Sequence, residues 1–330
     1  MIRVLPDLLS SSMFSRVTSQ LRHDLDRAAM EAVTGERADV TAASNGQLGQ
    51  VHRVRYAIET EDATATRLAL VTGRYATAAS ALKGARESAG TLPLDALNAA
   101  VAGGASNLGS FADAAKEAMR GVFAALNTRF DERALFAGAA SDAQALAPLD
   151  EVMQTLSMAL AGAPTAADKA AVIEAYFGPG GGFEADAYGG AAEDANGVEL
   201  PDGAEVDPLP RADDAAFRNL MKGLATVAFS DTVEPGEAAG FTERGAGLVR
   251  AGTDGVTRME ARVGLGLNRT AAAGERAKDG ARVAAEALDR VAGRDAFEAA
   301  SETQSLETRL QAAYSLTSKL GRLSLTSFLR

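Results

Sequence analysis

Two apolar stripes, one toward each end of the chain, limit what this sequence can fold into more than any other feature. In the C-terminal stretch, Leu306, Leu310, Ala313, Leu316, Leu320 and Leu323 recur at gaps of three and four. The run continues into Leu325, Phe328 and Leu329. Near the N-terminus, Phe14, Val17, Leu21, Leu25, Ala28 and Ala32 repeat in the same way. That spacing places the residues on one face of an α-helix. Chain ends are usually polar and frayed. Two apolar terminal helices therefore call for burial, against each other or against another chain.

The remaining residues favour helices too. The 330 residues are 47% hydrophobic but only 5% aromatic, with no Trp and no Cys. Alanine carries much of the apolar content; it is the best helix former and buries little surface per residue. Such a composition predicts long, thin helices in close contact. A net charge of −11 repels nucleic acid, so no nucleic-acid partner is expected. Without cysteine there can be no disulfide, thiolate metal site or thiol catalysis. No apolar run reaches the roughly 18–20 residues needed to cross a bilayer, so no membrane insertion is expected. Pro6 and Asp7 interrupt the first residues, which do not read as a cleaved signal peptide. Export would use another route.

Along the chain, the periodicity predicts a first helix capped at Ser11 or Ser12 and ending at Thr34-Gly35, then a connector over 35–46. A long second helix carries Val51, Val54, Ile58, Ala65, Leu68, Val71, Tyr75, Ala79 and Leu82, and breaks at Gly90–Pro93. A third runs from Leu108 to Leu126. Two short helices, Leu149–Ala161 and Ala166–Phe177, lead to the breaker GPGGG at 178–182. The acidic, glycine-rich stretch from Phe183 to Asp214 has room for short strands around Gly197–Leu200 and Ala204–Leu209. Helical periodicity resumes at Phe217, and a long helix follows Pro235-Gly236 to about Gly293. Its glycines at 245, 247, 252, 255, 264 and 266 each cost about 1 kcal/mol against alanine unless helices approach closely there. A last helix opens at Asp295, a candidate cap. The expected fold class is mainly α: a long antiparallel helical bundle or coiled coil formed by the N- and C-terminal halves, with a small α/β or β-containing middle insert. The implied segments are 1–44, an assembly helix; 45–138 and 214–292, the two halves of the bundle; 139–213, a variable middle domain; and 293–330, a second assembly helix.

Nothing in the sequence converges on catalysis. His23 and His52 are the only histidines and are not at metal-ligand spacing. The acidic 183–214 run lacks the spacing of a calcium loop. Neither 178–182 nor GGASNLG (103–109) is followed by the Lys-Ser/Thr of a phosphate loop. Met153 and Met158 read as core residues. No catalytic, metal or cofactor-binding residue is expected, and no cofactor. The candidate interaction residues are Phe14, Val17, Leu21 and Leu25, with Leu306, Leu310, Leu316, Leu320, Leu323, Leu325, Phe328 and Leu329.

Four pieces, in order, resemble the flagellin family. LQAAYSLTSKLGRLSLTSFL (310–329) is similar to the family's closing segment. Ala32-Val33-Thr34-Gly35-Glu36-Arg37 resembles the step after its first helix. ALFAG (134–138) resembles the segment closing the N-terminal helical half in the family's hook-associated members. RVGLGLNR (262–269) is similar to the stretch opening the return helix. The likeness covers roughly 1–138 and 214–330. It implies an extracellular subunit of the bacterial flagellum, exported without a cleaved signal peptide by the type III route. It further implies self-assembly into a ring or tube, contact with a neighbouring hook-associated protein and flagellin, and a flagellar export chaperone on the C-terminal helix.

Overall fold

The structure, a computed structural model, describes residues 5–43, 48–92, 95 and 108–328, with side chains left out for 5–11, 43, 108 and 320–328. It is mainly α. Contacts divide it into two compact units: unit 1, drawn from Met1–Thr64 and Arg276–Arg330, and unit 2, Ala65–Glu275.

Unit 1 holds α1 (Leu5–Thr34), α2 (Val40–Ala43), the start of α3 (Leu48–Ala89), the end of α8 (Pro235–Ala292) and α9 (Ala296–Phe328). The first helix begins at Leu5, so Ser11 and Ser12 lie inside it rather than capping it. Pro6 does not prevent this, because a first-turn proline has no intrahelical amide bond to lose. The connector contains one helical turn, α2, where the Ala42 amide donates to Asp39 Oδ1 at 3.0 Å. Asp295 caps α9 as expected, accepting the Glu298 amide at 2.8 Å. α1 packs along α9, antiparallel: Arg22 meets Tyr314 while Glu31 meets Arg294.

In unit 2, α3 and α8 run antiparallel: Leu68 lies beside Gly274, Tyr75 beside Gly266, and Arg86 Nε sits 3.1 Å from Glu260. α4 (Leu108–Leu126) packs on α7 (Ala215–Ala228). α7 also presses closely on α8: a Cβ on Gly252 would lie 2.4 Å from the Leu220 amide nitrogen. Gly245, Gly255 and Gly266 are similarly crowded, whereas Gly247 and Gly264 face open space. Close approach thus accounts for four of the six helix glycines.

Residues 139–213 carry α5 (Leu149–Ala161), α6 (Ala166–Phe177), a π-helical turn over Phe183–Ala187, and a hairpin of β3 (Val198–Glu199) with β4 (Glu205–Val206). A second hairpin, β1 (Arg129–Phe130) with β2 (Arg133–Ala134), precedes them. This middle stretch shares one hydrophobic core with α3, α4, α7 and α8. Phe136 and Phe217 meet edge to face at 6.3 Å, and Phe183 packs 5.4 Å from Phe177. The ALFAG segment is the stitch. Ala134, Leu135, Phe136 and Ala137 are all buried. Its backbone accepts amides from Ala191 and Ala212 at 3.0 and 2.8 Å, at Ala137 and Phe136 respectively. Gly138, at φ +61°, leaves no room for a Cβ, which would lie 2.5 Å from the Glu193 carbonyl oxygen. Met158 is a correction: it is 65% exposed. The buried face of α5 is Val152, Leu156 and Leu160, and two residues past Leu156 points to the opposite side. Met153 does pack against the core.

Candidate assembly surface

The terminal helices meet along one narrow stripe. On α1, Phe14, Leu21 and Leu25 are half-buried and Ala28 is buried. On α9, Leu306 and Ala313 are buried and Leu310 is half-buried. Val17 and Leu316 are 50% and 52% exposed. At 100° per residue, Val17 stands about 60° from Phe14, and Leu316 about 80° from Leu306, so each leaves the paired stripe. The side chains of Leu320, Leu323, Leu325 and Phe328, and all of Leu329, lie outside the described residues.

What this unit buries is small, and what it leaves outside is large. Among the described residues, its buried hydrophobics are Ala28, Ala277, Ala281, Ala292, Ala299 and Ala313, with only Val51 and Leu306 larger. Its exposed large residues include Met13, Met30, Val33, Tyr56, Val283, Phe297 and Tyr314 besides Val17 and Leu316. Phe297 is 84% and Val33 85% exposed. Two helices can bury only the stripe where they touch, so the apolar flanks stay in water.

Where α1 ends and α9 begins, the two connectors cross. The Arg37 amide donates to the Ala292 carbonyl and the Arg294 amide to the Gly35 carbonyl, each at 2.8 Å. Gly35 sits at φ +68°, a conformation that favours glycine. The Arg294 guanidinium, 16% exposed, faces three carboxylates: Glu31 at 3.5 Å, Glu298 at 3.7 Å, and Glu302. Its planar guanidinium carries five donors in a fixed fork, a geometry suited to several carboxylates around one side chain. Arg55 pairs with Glu36, and Arg37 Nε donates to the Gly293 carbonyl at 3.2 Å. Sequence reading missed this clasp. The Gly-Glu-Arg step stood out only as a resemblance, and Arg294 lay unremarked beside a cap. A lone arginine between two helical stripes, with glutamates four and eight residues on, was the available signal.

His23 and His52 are exposed. Among the described residues, no three His, Asp or Glu side chains are grouped to hold a metal, and no helix is long and apolar enough to cross a membrane. Part of the acidic middle is neutralised: Arg218 pairs with Glu184, and Arg211 Nε lies 3.2 Å from Asp194 and 3.1 Å from Asp213. Asp213 Oδ1 is buried without a hydrogen bond, so Arg211 meets it as a charge rather than an aligned donor. Burial raises the Asp213 carboxyl above the usual range, though Arg211 opposes it. Burial, with Asp213 nearby, pushes the Tyr188 phenol up to about 12; its hydroxyl donates to the Ala191 carbonyl at 2.9 Å. A cleft of about 410 Å³ is lined by Tyr75, Asp207, Leu209, Arg211, Asp214 and Arg262. It is mixed in charge and holds no Ser/His/Asp or comparable constellation.

No protein-family model and no curated protein matches the chain. Among solved structures, it is similar to a protein described as a flagellar hook-associated protein of Vibrio parahaemolyticus, at a TM-score of 0.49 and 12% identity. That match covers 73% of this chain and 94% of the other. It is also similar to FlgL of Bacillus cereus, at a TM-score of 0.40 and 15% identity over 75% of this chain and 97% of that one. Neither likeness by itself assigns a role.

Proposed function

We propose that this chain is a structural subunit of the bacterial flagellum, a member of the flagellin family that polymerises through its terminal helices to join hook to filament, the part of the third hook-associated protein. The observation that carries the reading is the burial pattern of unit 1: apart from Val51 and Leu306 its fully buried hydrophobics are alanines, while Met13, Met30, Val33, Tyr56, Phe297 and Leu316 are exposed. A pair of helices built this way gains little from folding alone. Each large apolar side chain fully covered by a neighbouring subunit contributes about 1.5–3 kcal/mol before ordering costs. The four sequence pieces that resemble the flagellin family support the same reading.

On this reading the subunit is extracellular, exported by the type III route with a chaperone on α9. It is not an enzyme. It contacts further copies of itself, a neighbouring hook-associated protein and flagellin. Deleting residues 305–330 abolishes incorporation into flagella, while residues 65–275 keep their fold. Immunogold labelling of the intact protein marks a short band at the hook end. Label along the whole filament would instead identify a filament flagellin, and normal attachment by the truncated protein would overturn the assembly reading.

A further inference from the structure

We infer that the arginine-bearing face of α8 in unit 2 is a docking surface for the acidic β3–β4 hairpin of a second copy of this chain. The inference rests on the assembly reading and adds to it a subunit contact away from the terminal helices.

Arg244, Arg258, Arg262 and Arg269 are all exposed. At 100° per residue they fall within about 40° of one another on α8. None of these side chains makes an ion pair or hydrogen bond among the described residues, although Asp254 lies one turn from Arg258. Leu265, 59% exposed, stands between Arg262 and Arg269. Beside them a groove of about 600 Å³ runs over the line where α7 and α8 touch. Small residues such as Ala216, Ala251 and Gly255 line it together with Asn219 and Met259, and Arg258 and Arg262 stand at its side. Asp214 also lines it, but its carboxylate accepts the Ala216 amide at 3.3 Å as the cap of α7.

The hairpin has the complementary charge and an unrelieved repulsion. Glu199 and Glu205 are register partners directly opposite each other, and both are exposed. Like charges in that relation destabilise a strand pair. Neither they nor Glu193 and Asp207 find an ion pair among the described residues. The alternation of the strands turns Val206 inward, where it packs over Gly266, and leaves the glutamates outward.

The whole chain carries −11 charges, so two copies repel at most approaches. An arginine row facing a glutamate pair is an approach where the local field reverses sign. Each copy carries both patches, so the contact forms either a reciprocal pair or a head-to-tail series that closes into a ring or extends into a tube.

The chain has no cysteine, which makes the test direct. Full-length Glu199→Cys and Arg258→Cys proteins, each with one thiol at an exposed position, are mixed under mild oxidation. The mixture should give at least fivefold more disulfide-linked dimer than either variant alone, and the excess should vanish near 1 M salt, where the Debye length is about 3 Å. A second pair checks the electrostatics: the R258E/R262E protein loses linkage through a reporter Arg269→Cys to Glu193→Cys, and E199K/E205K on the partner restores it. Equal linkage in mixed and single samples, or no restoration by the charge exchange, would overturn the inference. If wild-type flagella still incorporate the protein while cross-linking fails, the docking inference falls and the assembly reading stands. Cross-linking without incorporation upholds the docking contact and sinks the assembly reading.

Discussion

At the residue scale, Asp213 shows what burial does to a charge that is only partly answered. Its carboxyl is raised by desolvation against the pull of Arg211. A group raised in the folded state contributes most below the ordinary carboxyl value of about 3.9, and loses that contribution as pH rises through its native value. Asp213→Asn removes the titration. Its melting temperature should therefore rise relative to wild type at pH 8, and the two proteins should converge near pH 4. Thermal unfolding by circular dichroism at both pH values checks this; a deficit at pH 8 would show that the Arg211 contact outweighs burial.

At the scale of elements, the β1–β2 hairpin turns through Asp131 and Glu132, at φ +49° and +61°. Positive φ at both central residues is the mark of a type I′ turn, for which Asn-Gly is the favoured sequence. Non-glycine residues pay about 1–2 kcal/mol each in the left-handed region, partly offset by the entropy of an introduced glycine. Replacing Asp131-Glu132 by Asn-Gly should raise unfolding stability by about 1 kcal/mol, read from the denaturant midpoint at unchanged slope. The same pair explains why this hairpin was illegible: RFDERALFAG contains no turn signal of the expected type before Gly138. Where periodicity was strong, the sequence was sufficient. Leu108–Leu126, Leu149–Ala161 and Ala166–Phe177 are found where their apolar spacing puts them. The candidate surface was only half legible. Phe14, Leu21, Leu25, Leu306 and Leu310 share the paired stripe, but Val17 and Leu316 do not, because gaps of three drift off a straight helix. Phe297 belongs to no stripe, so periodicity could not mark it. The Arg294 clasp depends on chain crossings between residues more than 250 positions apart, which no local pattern records.

At the scale of the whole molecule, the two units differ in what holds them. Unit 2 buries Phe136, Phe183, Phe217, Leu68, Met119 and Ile173 almost completely. Unit 1 buries mainly alanine. Local opening free energy follows buried apolar contact. Hydrogen exchange on the purified chain should therefore show amides in α1 and α9 exchanging at least a hundredfold faster than those of α4 and α7. The gap should narrow once the chain is assembled and the flanks of unit 1 are covered. Equal protection in free chain and assembly would remove the link between exposed apolar flanks and partner burial.

The crossing of residues 35–37 with 292–294 carries a consequence in time. A polypeptide that appears in order, from its first residue to its last, presents α1 long before the residues that clasp it exist or arrive. Arg22 must wait for Tyr314, a separation of 292 residues, and a contact so distant in sequence carries more closure entropy than the local contacts of Ala65–Glu275. Ala65–Glu275 can close meanwhile. Unit 1 is therefore the last part to finish, and any event that acts on the open terminal helices must act before the final residues reach the first ones.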